Sequence, residues 1–114
     1  MSPASSASFA SSEQARTAGS VGARVNQCRA RLRRHLQSGS MRPQPFIALP
    51  PQWLQTAEVR FVVEAVRGIG PHRAERIYAR AGLHGRERLG TLAPALRRAL
   101  VLELDEALPR MAAA

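Results

Sequence analysis

Lysine is absent from the 114 residues, and all seventeen basic side chains are arginine. Schiff-base or amine chemistry thus has no lysine to run on, which sets aside a base-excision glycosylase. Cysteine is nearly absent too. Cys28 stands alone, which excludes an internal disulfide and any multi-cysteine zinc site. His35, His72 and His84 share no metal-ligand spacing, so neither a metal nor a cofactor is expected. No apolar run approaches the roughly 18 residues of a membrane span. No Ser/His/Asp or Cys/His arrangement lies on a motif of known geometry. Glu103, Asp105 and Glu106 read as a solvated helix end rather than an acid/base pair, so catalysis is not expected.

Acids are also scarce, eight against seventeen arginines, for a net charge of +9. Arginine presents a planar fork that fits phosphate and stacks on bases, so an arginine-only excess suits a polyanion partner. A coding bias toward arginine and alanine would give the same count, and position has to decide.

Composition divides the chain at about residue 45. Residues 1–45 hold nine serines, seven arginines and one acid, Glu13, in the manner of an organellar import sequence. Within them Val21, Val25, Cys28, Leu32 and Leu36 share one helical face, and Arg24, Arg29, Arg31, Arg33 and Arg34 spread over the rest. The expectation is a mitochondrial presequence cleaved before Met41, with a chloroplast address as the alternative. A retained arm would be an additional RNA- or protein-binding element. The Pro43, Pro45, Pro50 and Pro51 breakers predict an extended or turned lead-in that packs Phe46, Ile47, Leu49 and Trp53 on the core.

From residue 56 the pattern is helical. Thr56 is a candidate N-cap, and Val59, Val62, Val63 and Val66 form one apolar stripe. The segment Arg67-Gly68-Ile69-Gly70-Pro71-His72-Arg73-Ala74 follows. Gly68 and Gly70 are both free to take positive φ, and Pro71 suits a first helical position. The amides beyond it would face outward at the positive end of the helix dipole, which is an anion-binding arrangement. A bare helix-to-helix connector is the alternative. Ala74, Ile77, Tyr78 and Ala81 form the next stripe, and Gly82 suits the C′ position. At about 100° per residue, His72, Arg73, Arg76 and Arg80 occupy one sector away from that stripe and continue the anion-facing surface. Two turns lead through Arg88 to a last helix with Leu96, Leu100, Leu104 and Ala107 on one face. There Arg97 and Arg98 near the start and the three acids near the end oppose the macrodipole by about 0.3 to 1 kcal/mol each. The arginines are read as facing RNA, and the acids as facing a basic neighbour or repelling a wrong one.

The order helix, Gly-Ile-Gly turn, helix, two turns, helix resembles universal small-subunit ribosomal protein thirteen over residues 46–108. The matching residues are Val59-Arg60-Phe61, Val66-Arg67-Gly68-Ile69-Gly70, Arg73-Ala74, Ile77, Ala81-Gly82-Leu83, Arg88-Leu89 and Leu92. The resemblance implies an all-α helix-two-turns-helix domain at 46–110 with a short tail at 111–114. It also implies a structural role in a small ribosomal subunit, here that of a mitochondrial ribosome in the matrix. The partners implied are ribosomal RNA of the subunit head, neighbouring small-subunit protein nineteen and the large-subunit bridge, with no homo-oligomer. RNA contact is carried onto Gly68, Gly70, Arg73 and Arg88, and the positional argument adds His72, Arg76, Arg80 and Arg97. The family's long basic tail has no counterpart after Arg110, which weakens any transfer-RNA contact. A helix-hairpin-helix DNA-binding module, holding a phosphate backbone without sequence preference through the same turn, is the competing reading. An interaction module using Phe61 and the prolines is a third. A packed region of about 65 residues is marginal alone, so partners are expected to complete it.

Overall fold

The computed structural model describes residues 6–108, with side chains from residue 21 onward. The tail at 111–114 and the end of the 46–110 unit lie outside the described residues. All regular structure among them is helical: α1 (Ser6–Ser38), α2 (Gln44–Ala48), α3 (Val59–Val63), α4 (Pro71–Ala81) and α5 (Pro94–Ala107). Two 3₁₀ turns, Gln52–Leu54 and Leu89–Thr91, separate them. The fold is all-α, as the sequence predicts.

α1 contains no proline, and its αL terminator is Gly39 at φ +80°. Its apolar stripe is used only in part. Leu32 and Leu36 are buried in the common core, Val25 and Cys28 are half-buried, and Val21 is exposed. The packed unit thus reaches back across residue 45, where composition placed a boundary. Hydrophobic periodicity prevailed over the basic, serine-rich composition around it. Cleavage just before Met41 would remove two core leucines, whereas cleavage upstream of Val21 would spare them.

The proline-rich lead-in is not extended throughout. Pro43 occupies the N-cap of α2 and Pro45 its first turn, where the missing N–H has no intrahelical acceptor to forfeit. α2 packs on α5 through buried Ile47, and the Phe46 and Trp53 rings meet at 6.5 Å, tilted by 54°.

The valine stripe closes the centre: Val59, Val62 and Val63 are inaccessible and Val66 nearly so. Thr56 is not the cap of α3. The chain is extended at Glu58 and bridges to Arg88. Backbone bonds Val59 N to Glu87 O (2.8 Å), Arg60 N to Gly85 O (2.9 Å) and Leu89 N to Ala57 O (2.9 Å) pair the approach to α3 with the two-turn loop. That pairing leaves the two-turn loop little freedom to move relative to α3.

Tyr78 on α4 is buried, and its hydroxyl donates to Glu64 Oε2 at 3.0 Å. Burial, then the Glu64 carboxylate, push this phenol well above its ordinary pKa. The ring lies against Gly85, where a Cβ would come within 2.6 Å of Cε2. Gly85 also has φ +93°, so both the backbone and the ring exclude a side chain there.

Candidate nucleic-acid interface

The α3-to-α4 connection has the exposed, glycine-lined form that the sequence predicts, with one difference. Gly68 adopts φ +89°, but Gly70 is extended at φ −89°, ψ 179° as the N-cap of α4. The expectation of positive φ therefore applies to Gly68 alone. An extended N-cap suffices because Pro71 sets the first helical φ itself. A Cβ built at either glycine meets no heavy atom within 4 Å, so no protein atom crowds the outer side of the turn. The Gly70, His72 and Arg73 amides have no backbone acceptor among the described residues. Three donors without a backbone acceptor thus lie at this helix start, beside open space and an exposed His72, where the helix dipole favours an anion.

Of the arginines behind this turn, Arg76 is exposed and free of any ion pair among the described residues. Arg73, Arg76 and Arg80 line one cleft of about 320 Å³, as their helical sector predicts. Glu103 and Glu106 of α5 line it too, and Arg80 Nη1 sits 3.7 Å from Glu103 Oε1. Arg73 folds back, donating through Nη1 to Gly68 O (2.7 Å) and through Nη2 to Ala107 O (2.6 Å). It brings positive charge to the turn while bracing it against the end of α5. Two of the three acids that oppose the α5 dipole find basic neighbours within the chain: Glu103 meets Arg80, and Asp105 has Arg42 at 3.7 Å and also accepts from Gln44 Nε2 (2.9 Å).

Two of the expected contact residues are committed elsewhere. Arg97 points inward and donates to Ile47 O (2.8 Å) and Leu92 O (2.9 Å), joining α5 to α2 and the second 3₁₀ turn. It is a structural clamp. A carbonyl left free at the end of a five-residue helix captures a guanidinium more firmly than solvent does. Arg88 donates to Thr56 O and lies in a different cleft from Arg73, Arg76 and Arg80.

Arg67 and Arg42 were not among the expected contacts, yet both border the turn. With Arg73 and Gly68 they line a groove of about 410 Å³ between the end of α1 and the turn. Arg67 gives its backbone N–H to Leu36 O (3.0 Å) and its Nη1 to Ser38 O (3.3 Å), capping α1. Its place directly before Gly68 was the available signal. Arg42 is brought near only by tertiary folding. In the two-turn loop, Glu87 accepts from the His84 and Gly85 amides at 2.9 and 2.8 Å. Burial works against its ionisation, but these donors outweigh it and hold the carboxyl below its ordinary pKa.

No protein-family model and no curated protein matches the chain. Among solved structures, it is similar to sIHF bound to an 8 bp palindromic DNA, with a TM-score of 0.64 and 21% identity. The match covers 75% of this chain and 98% of that one. At that identity the likeness establishes the fold.

Proposed function

We propose that this chain binds duplex DNA by its phosphate backbone, without reading base sequence, through the Gly68-Ile69-Gly70 turn and the first two turns of α4. The observation that carries this is the conjunction at one exposed spot of unpartnered amides, positive-φ Gly68 and Arg76. A phosphate seated on the Gly70, His72 and Arg73 amides would receive the helix dipole, with Arg73 beside the turn and Arg76 one turn further along α4. None of these groups discriminates bases, since phosphate contacts position a protein on a duplex and carry no sequence information directly. The fold shared with sIHF, solved on DNA, supports DNA over other polyanions. Anisotropy titration of labelled duplexes of unrelated sequence tests this. Similar affinities are expected, with a log–log salt slope that falls by about 0.9 in Arg76→Ala. An unchanged slope would place the contact elsewhere.

The order of a helix, a glycine turn, a helix, two turns and a helix also supports the ribosomal reading, in which the same turn holds ribosomal RNA in a mitochondrial small subunit. Co-sedimentation of the endogenous protein with that subunit on a sucrose gradient is its test. Migration as free or nucleoid-associated protein contradicts it.

A further inference from the structure

A second cleft lies away from the glycine turn, between α1 and α3, with a volume of about 660 Å³. That is within the roughly 300–1,000 Å³ of small-ligand sites. Arg29 and Arg33 of α1, Arg60 of α3 and Arg88 of the two-turn loop converge on it, with the half-buried Phe61 in its wall. The Arg33 guanidinium carbon lies 5.1 Å from the Phe61 ring centroid. A planar cation thus already covers this aromatic face in the manner a base would.

Two carboxylates also line the cleft, and both are engaged. Glu58 Oε1 lies 3.1 Å from Arg60 Nε, and Glu64 accepts the Tyr78 hydroxyl. Arg29 commits Nε to Trp53 O and Nη2 to Thr56 Oγ1, both at 2.8 Å, which fixes its fork and leaves Nη1 over. Arg88 commits only Nη1. Arg33 has no carboxylate partner among the described residues. Four guanidiniums against two carboxylates leave a surplus of two positive charges around an aromatic ring.

We infer that this cleft binds an unpaired nucleotide whose base takes the place of the Arg33 guanidinium on the Phe61 ring, its phosphate held by the displaced Arg33 and by Arg29. A base inside a duplex has both faces covered by its neighbours and has none to offer Phe61, so the ligand is a free nucleotide or an unpaired strand. The site shares no lining residue with the Arg73, Arg76 and Arg80 cleft and does not depend on the duplex-binding reading.

Isothermal titration of the full chain with ATP, pyrophosphate and a short oligothymidylate tests the inference, beside duplex binding by anisotropy. Saturable binding of ATP or of the oligothymidylate is expected, and the one that binds identifies the source. Exposed Arg33→Gln should weaken either by about fivefold or more, and Phe61→Leu should weaken them while leaving pyrophosphate unchanged. Circular dichroism verifies that both variants fold, and Arg33→Gln carries the test if Phe61→Leu does not. Duplex affinity should be unchanged in Arg33→Gln within about twofold at about 0.15 M salt, where a charge more than a Debye length from the duplex is screened. Absence of saturable binding by both ligands, or nucleotide binding lost in Arg76→Ala but retained in Arg33→Gln, overturns the inference.

Discussion

Neutralising the α5 acids, as Glu103→Gln with Glu106→Gln, should tighten duplex binding. Arg80 is 68% exposed and its partner Glu103 22%, so their ion pair is a surface pair worth about 0.2 to 1 kcal/mol. A phosphate recruited by Arg80 must first displace this carboxylate. Each acid also repels a phosphate, by about 0.5 kcal/mol at a separation of roughly 9 Å in bulk-water dielectric. The two effects together come to about 1 to 2 kcal/mol, or roughly 5- to 30-fold in affinity at low salt. The gain should shrink above about 0.1 M salt as the Debye length falls below 10 Å. Stability should barely move, because losing the ion pair is offset by removing negative charge from the end of a helix. Salt-series anisotropy reads the affinity, and thermal melts read the stability. Unchanged affinity at low salt in a folded double variant would refute the reasoning, since α5 would then lie too far from the bound phosphate to act on it.

The two turn glycines should separate cleanly. Gly68→Ala is expected to cost about 1 to 2 kcal/mol for its positive φ. Gly70→Val should cost less, about 0.5 to 1 kcal/mol for a poorer N-cap, because its backbone is extended and the space open, yet lose duplex affinity because the new side chain occupies the approach. Equal melting losses in both would contradict the dihedral assignment. Gly85→Ala should destabilise by about 2 to 4 kcal/mol, combining positive φ with overpacking against Tyr78, which lowers the melting midpoint by roughly 10 to 25 °C. Arg97→Met should lower stability by about 2 kcal/mol through the stranded Ile47 and Leu92 carbonyls and leave the salt slope of duplex binding as it was. A reduced slope would return Arg97 to the binding surface.

What was legible in the sequence was what periodicity and backbone chemistry encode locally. The Val59, Val62, Val63, Val66 stripe and the Ala74, Ile77, Tyr78, Ala81 stripe are buried as their spacing predicts. Gly82 ends α4 in the left-handed region, with Leu83 N bonded to Tyr78 O. The grouping of Arg73, Arg76 and Arg80 followed from the helical sector alone. What was not legible depends on which carbonyls the fold leaves unpaired. Arg29, Arg67, Arg73, Arg88 and Arg97 each donate to a main-chain oxygen far along the chain or across a turn. No local pattern distinguishes such an arginine from a solvent-facing one such as Arg76. α2 was hidden because a proline in a first turn reads the same as a breaker. The membership of Leu32 and Leu36 in the core was masked by the composition surrounding them.

The junction at Arg67 has a mechanical consequence. The carbonyls at the end of α1 are held by a residue 29 positions downstream, immediately before Gly68, through one backbone and one guanidinium bond. A pull on the α1 helix therefore reaches the glycine turn directly through these two bonds, while Leu32, Leu36 and Arg29 carry the rest of the load into the core. Load applied to α1 in a single-molecule trap should loosen a gripped duplex before α4 or α5 unravels.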